Sequence, residues 1–270
     1  SLEAKGAHVI RKPWTQSDLS SIGIKRDITL PEGIDYVHRH ADDADIYFMS
    51  NQTDSTVTFV PEFRAVRANK YIADPITGKV YNAQNQLTLT AGASLFVVLT
   101  DLKIDAEYMP DMSKYDTAIS LDDNKWTVKF EKNGKQVTTK KLFDWSKADD
   151  QSIKFYSGHA TYETTFKYKG KPEDRVLIDL GEVADIATVY VNGKMCGTAW
   201  MPPYNVDITP AVKKGKNELK IVVVNTWANA LQGNDQGTPP FEGIWTNGKY
   251  RRASKELLPA GLLGPVVIKN

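Results

Sequence analysis

The sequence predicts an all-β chain: a small antiparallel β-sandwich, then a larger jelly-roll β-sandwich, behind a short α/β leading segment. Three observations predict it. Short apolar segments with period-two spacing recur from about residue 34 to the end. Turn chemistry separates them, with Asn-Gly and Pro/Gly pairs at the breaks. One helix-start signal stands out, and it lies before residue 30. The implied organisation is 1–33 as the tail of an upstream α/β domain, 34–103 as the small sandwich, 104–118 as a linker and 119–270 as the jelly roll.

In order along the chain, residues 7–10 read as a strand. Thr15-Gln16-Ser17-Asp18-Leu19 starts a short helix, capped by Thr15 or Ser17 and closed by Gly23. Asp45-Ile46-Tyr47-Phe48-Met49 is a strand that ends in the polar turn Ser50–Ser55. Thr56–Val60 and Leu87–Thr90 alternate as half-buried strands do, and Ser94–Leu99 reads as a continuously buried one. Asp74-Pro75-Ile76-Thr77-Gly78 is a turn. In the second domain Trp126–Phe130 alternates and Asn133-Gly134 marks a hairpin. Strands follow at Tyr162–Tyr168, Arg175–Leu180, Ala187–Val191, Glu218–Asn225 and Pro265–Ile268. Further hairpin turns are expected at Asn192-Gly193 and Lys214–Asn217. Val222 and Val224 oppose Ile221 and Val223 across one strand, so both its faces are apolar and the strand should be central.

A chain of 270 residues has room for two ordinary domains. The 34 Lys and Arg balance 33 Asp and Glu, so no concentrated basic surface points to nucleic acid. The longest apolar run, Leu95–Leu99, is too short for a membrane span. A single cysteine, Cys196, excludes an internal disulfide and reads as a small semi-buried strand residue. The chain opens Ser1-Leu2-Glu3, without methionine or targeting segment, and reads as cut from a longer protein.

Glycosidases use two carboxyl groups across the scissile bond. Asp42, Asp43, Asp45, Glu163, Glu182 and Glu242 are the candidates, and spacing pairs none of them, so no catalytic residue is assigned. His38-Arg39-His40 places two imidazoles on one strand face beside Asp42 and Asp43. A metal site needs more ligands than that, so the expected role is structural, with Arg39 paired to a neighbouring Asp, and no metal ligand is assigned. The aromatics are more informative. Trp200, Tyr204, Trp227, Phe241 and Trp245 interleave with Asn205, Asn225, Asn229, Gln232, Asn234 and Asp235. Flat rings beside amides suit the apolar faces and hydroxyl edges of sugars. The candidate carbohydrate-binding set is Trp200, Tyr204, Asn225, Trp227 and Asn229, with the Trp227–Trp245 stretch taken as an exposed loop. Trp14 and Trp126 are expected in cores.

Several segments resemble known families. Tyr190-Val191-Asn192-Gly193-Lys194, Gly197 and Pro203-Tyr204-Asn205-Val206-Asp207-Ile208-Thr209 resemble the sugar-binding, galactose-binding-like jelly roll of glycoside hydrolase family 2. Ser157-Gly158, Thr161-Tyr162, Asp179–Val183, Asn225–Asn229 and Leu258–Val266 resemble the C-terminal jelly roll of family 106 α-L-rhamnosidase-like proteins. Asp35–Arg39, Asp45–Phe48, Asn51-Gln52 and Asp74–Gly78 are similar to the segment after that family's catalytic barrel; His40 departs from it, standing where a second arginine is expected.

The resemblance covers about residues 34–270. It implies a whole enzyme that hydrolyses terminal α-L-rhamnosides of plant pectin-type glycans, secreted or periplasmic in a bacterium. Its acidic catalytic residues and a calcium ion would lie in an upstream barrel; no cofactor is implied for this chain. The expected partners are carbohydrate and the upstream catalytic domain of the same polypeptide. The expected function is an accessory, non-catalytic region of such a hydrolase. A stand-alone lectin and a purely structural spacer are the alternatives.

Overall fold

The computed structural model describes residues 3–6, 19, 23–75, 77–109, 115–171, 175–248 and 256–270. The chain divides into two compact units, Ser1–Met109 and Pro110–Asn270. The strand expected at 7–10, most of the helix expected at 15–19, and Trp14 lie outside the described residues.

Among the described residues the first unit is a small sandwich of nine strands. They are β1 (Ile28–Thr29), β2 (Ile34–His40), β3 (Ala44–Asn51), β4 (Val57–Phe59) and β5 (Glu62–Phe63). β6 (Asn69–Ala73), β7 (Val80–Asn82), β8 (Leu87–Leu89) and β9 (Ser94–Thr100) follow. A five-stranded sheet runs β2-β3-β9-β6-β7, and β1-β5 and β4-β8 form two short pairs. Tyr47, Met49, Leu95, Val97 and Leu99 on the sheet pack with Ile28, Phe59, Leu87 and Leu89 from the pairs. Ile28 is thus a core residue of this unit, upstream of the start expected at residue 34. At its other end, Ile104 bonds to the Tyr71 hydroxyl and Met109 packs on the core.

β9 was expected to be buried throughout. Instead it alternates: Leu95, Val97 and Leu99 are buried, while Phe96 and Val98 are half-buried on the opposite face. There Phe96 meets Phe48 with ring centroids 5.1 Å apart. Asn51 is buried and fixes the turn that follows β3. Its Nδ2 donates to the carbonyls of Ser55, Leu89 and Thr90, and its Oδ1 accepts from the Thr53 amide.

The second unit opens with β10 (Thr117–Ser120), β11 (Trp126–Phe130), β12 (Gln136–Thr139) and a helical turn α1 (Gln151–Lys154). β13 (His159–Tyr168), β14 (Leu177–Asp179), β15 (Glu182–Ala184), β16 (Ile186–Val191) and β17 (Lys194–Ala199) come next. Then follow β18 (Asn205–Asp207), β19 (Gly215–Val224), α2 (Ala228–Asp235), β20 (Gly261–Gly264) and β21 (Val267–Lys269). A six-stranded sheet β12-β11-β13-β19-β16-β17 and a four-stranded sheet β10-β21-β14-β18 enclose one core. This is all-β architecture. Trp126 sits fully buried in that core.

β19 is central, as its two apolar faces imply, and pairs with β13 and β16. Asn192 (φ 52°) and Gly193 (φ 80°) both take positive φ. That is the type I′ geometry whose twist suits a two-residue hairpin, and it joins β16 to β17. Lys214–Asn217 is no hairpin: β19 starts there, and its partners are β13 and β16. The signal misled because buried Asn217 supplies the turn. Its Nδ2 donates to the carbonyls of Lys213 and Gly215, and its Oδ1 accepts from the Lys213 amide.

Helix was expected only before residue 30. Both α-helices described lie in the second unit, and α2 occupies the stretch read as an exposed loop. Its buried positions are Asn229, Ala230, Gln232 and Gly233. Small and amide residues thus face the interior, so no stripe of large apolar side chains announces the helix.

Candidate functional site

Strand register brings the segments carrying Trp200 and Trp227 to one end of the six-stranded sheet. Ala187 pairs with Ala199, Ile186 with Val224, and His159 with Val224. Trp200, Asp185, Asn225–Trp227 and Ser157-Gly158 therefore leave or enter the sheet at that same end. Trp200 and Trp227 are 52% and 45% exposed there. Tyr204 is half-buried against the core, and its carbonyl accepts from the Leu180 amide. Burial raises its phenol pKa, and the nearby Asp185 and Glu182 charges add to the rise.

The two predicted amides have other work. Asn225 Oδ1 accepts from the Gly158 amide at 2.9 Å, and its Nδ2 donates to the Tyr156 carbonyl at 3.0 Å. Asn229 Nδ2 donates to the Leu258 carbonyl at 2.8 Å, and its Oδ1 accepts from the Leu258 amide at 2.9 Å. Both side chains are buried. They clamp loops rather than offering amides to a sugar, which corrects the contact role expected for them. A carboxamide matches a peptide group as well as it matches a diol, so residue type alone could not separate the two. Replacing Asn229 with Ala should cost about 2 kcal/mol, because the Leu258 groups lose both partners. Chemical denaturation of the variant checks this; an unchanged midpoint would show that the clamp is dispensable.

Trp227 is not a bare platform. The Lys132 ammonium lies 4.1 Å from its ring centroid and 4.7 Å from that of Phe241. Phe241 also meets Trp227 edge-on at 6.0 Å and Tyr156 at 5.9 Å. One indole face is therefore held by a cation–π contact of about 0.5–1 kcal/mol. Lys132 had no signal in the sequence, since the fold brings it from the turn after β11. Trp245 is 79% exposed.

An open groove of about 350 Å³ is lined by Ser146, Lys154, Phe155, Gln232, Gln236, Glu256 and Leu257. Phe155 and Gln232 are buried at its floor, whereas Gln236 and Glu256 are exposed at its rim. Its walls are tied in place. Asn229 fixes the backbone at Leu258, and Ser157 Oγ accepts from the Ala230 amide at 3.1 Å. Gly233 presses on Phe155, where an added Cβ would come within 2.7 Å of the ring. Asp144 Oδ1 caps the Trp145–Lys147 turn through Ser146 and accepts from the Ala260 amide at 3.0 Å.

Glu163, Glu182 and Glu242 are exposed. In the first unit Asp42 and Asp43 are exposed, and Asp45 is buried. His38 Nε2 and His40 Nδ1 reach Asp45 Oδ1 at 3.1 and 2.8 Å, and Arg67 Nε donates to Oδ2 at 2.9 Å. Arg67, not Arg39, is thus the arginine on this carboxylate. His38 Nδ1 lies 2.8 Å from Asp27, so both its nitrogens are engaged. Among the described residues no group of three or more His, Cys, Asp or Glu could hold a metal ion. Cys196 is half-buried in β17, and burial pushes its thiol pKa up, away from reactivity.

Two family models match this chain. Residues 3–87 match the α-L-rhamnosidase model and residues 140–256 the glycosyl hydrolase 2 galactose-binding-like domain. A solved rhamnosidase from Novosphingobium sp. PP1Y superposes with a TM-score of 0.74 at 31% identity. The chain is glycoside hydrolase-related. The rhamnosidase match covers 93% of this glycoside hydrolase-related chain but 25% of the larger protein. A putative β-glucuronidase from Formosa agariphila is 36% identical over 174 residues, covering 53% of this chain and 15% of that protein. The chain thus spans a quarter or less of either relative's length. No helix among the described residues is long and apolar enough to cross a membrane.

Proposed function

We propose that this chain is the accessory, non-catalytic β-sandwich region of a rhamnosidase-like glycoside hydrolase acting on plant-type polysaccharide. In this reading it supports the catalytic portion of the enzyme and meets carbohydrate at the loop end of its second unit. One observation carries it: nearly the whole chain aligns with a quarter of a known rhamnosidase. The exposed Trp200 and Trp227 supply stacking surface for sugar rings. The same reading puts the parent enzyme outside the cytoplasm, secreted or periplasmic, and puts its metal and catalytic acids in the catalytic portion. Here His38 and His40 both bond to Asp45.

Purified chain incubated with an aryl α-L-rhamnoside is expected to release no phenol. Turnover that disappears when one Asp or Glu of this chain is replaced would overturn the non-catalytic assignment. Tryptophan fluorescence during sugar titration tests the carbohydrate contact, for which stacking on one ring gives a Kd of about 1 mM.

A further inference from the structure

We infer that Asp185 is the hydroxyl acceptor of the sugar site at the loop end of the second unit, taking two adjacent free hydroxyls of a pyranose stacked on Trp227. The inference rests on the carbohydrate reading above and names the group that recognises the ring and the chemistry it recognises.

Position comes first. In the six-stranded sheet β16 lies between β19 and β17. Trp227 follows β19, Trp200 follows β17, and Asp185 directly precedes β16 at the same end. Neighbouring strands are about 4.8 Å apart, so the two tryptophan segments leave the sheet roughly 10 Å apart with Asp185 between them.

An indole holds the apolar face of a sugar, but fixing the orientation of the ring takes a polar group as well. Asn225 and Asn229 are engaged with backbone groups and cannot serve. Asp185 can. It is exposed, and its Oδ2 accepts from the Thr226 amide at 2.9 Å. Among the described residues its Oδ1 has no partner. A carboxylate only accepts, and each oxygen has two lone pairs, so Oδ1 matches two neighbouring O–H donors in charge-assisted hydrogen bonds.

The acceptor is also preorganised. The Asp185 amide donates to the Val224 carbonyl at 3.2 Å. With the Thr226 contact, main chain and side chain are both tied to the segment that leads into Trp227. Lys132 and Phe241 hold Trp227 in turn. Acceptor and platform are thus fixed before any ligand arrives.

The test is a titration of the full chain, followed through the indole N–H signals of Trp200 and Trp227. The probes are methyl α-L-rhamnopyranoside, methyl β-D-galactopyranoside and the fully O-methylated counterpart of each, which keeps the ring but has no hydroxyl to donate. The Trp227 signal should shift with a free glycoside at about 50 mM, as millimolar affinity requires. Asp185→Asn keeps a carbonyl for the Thr226 amide and turns an NH₂ towards the ligand. It should weaken binding about tenfold and leave the melting temperature unchanged. The methylated probes should bind the wild type about tenfold more weakly than the free ones, and should lose nothing further in Asp185→Asn.

Equal affinity of the free glycosides for the wild type and a folded Asp185→Asn would overturn the role of Asp185, and the carbohydrate function would stand. Methylated probes that bind the wild type as tightly as the free ones would overturn hydroxyl recognition, whether or not the variant folds. A response confined to Trp200 would overturn the placement on Trp227. If no free glycoside moves either indole, the inference and the carbohydrate function both fall.

Discussion

Replacing Tyr162 with Phe will destabilise the second unit by about 3 kcal/mol, although it removes one oxygen atom. Tyr162 is 1% exposed and lies on β13 in ring contact with Trp126 and Trp145, and Trp145 in turn meets Phe130 and Tyr156. Its hydroxyl oxygen accepts from Trp145 Nε1 at 2.7 Å and from the Leu262 amide at 3.0 Å. Burial holds its phenol far above the ordinary tyrosine range, so the hydroxyl stays neutral across the physiological range. Phenylalanine would leave two buried donors without an acceptor, at about 1–3 kcal/mol each.

The strand carrying Leu262 cannot retreat easily. Gly261 takes φ +108°, and a Cβ there would lie 2.6 Å from Trp145 Nε1. In a unit of this size the melting temperature should fall by roughly 6–12 °C. Trp145→Phe alone also costs stability, but added to Tyr162→Phe it should cost less than the sum, since one orphaned donor is gone. Strict additivity of the two changes would show that the hydrogen bond carries no coupling.

The strands were legible because backbone pleat and burial share one period. Trp126–Phe130 alternates in sequence and in the fold, with Trp126, Val128 and Phe130 buried. Asn192-Gly193 was legible because a two-residue I′ turn demands positive φ at both positions. α2 was not. Its inner face is built from Asn229, Ala230, Gln232 and Gly233, chosen by a close approach to Phe155 and by backbone partners elsewhere in the fold. The site divides in the same way. Register places Trp200 and Trp227 at one sheet end, as the position of their segments implied. Which amides face solvent depended on Leu258, Tyr156 and Gly158, residues distant in sequence from Asn225 and Asn229. Lys132 reaches Trp227 only through β11 and the turn after it, a pairing with no local trace.

Asp45→Asn should be the most damaging polar change in the first unit, at about 3 kcal/mol. Asp45 Oδ1 receives His38 and His40, and Oδ2 receives Arg67, which continues to Asp101 at 3.0 Å. His38 lies between Asp45 and Asp27, stacked on buried Tyr47 with ring centroids 4.1 Å apart. An asparagine keeps the shape but removes the charge, and its NH₂ must face one of the former donors. Arg67, 16% exposed at its side chain, then loses most of its compensation.

The wild-type pH dependence follows from the same contacts. The hydrogen bond from His40, opposed by burial and joined by those from Arg67 and His38, lowers the Asp45 pKa from 3.8 to about 2. A depressed carboxylate pKa stabilises the fold above its unfolded value, and that stabilisation is lost as pH falls from about 4 through 2. Hydrogen exchange at the β3 and β9 amides reads the first unit directly. Protection there should drop with acid in the wild type, and Asp45→Asn should begin lower and lack this component. Equal acid sensitivity in both proteins would mean that other carboxylates, not Asp45, carry the transition.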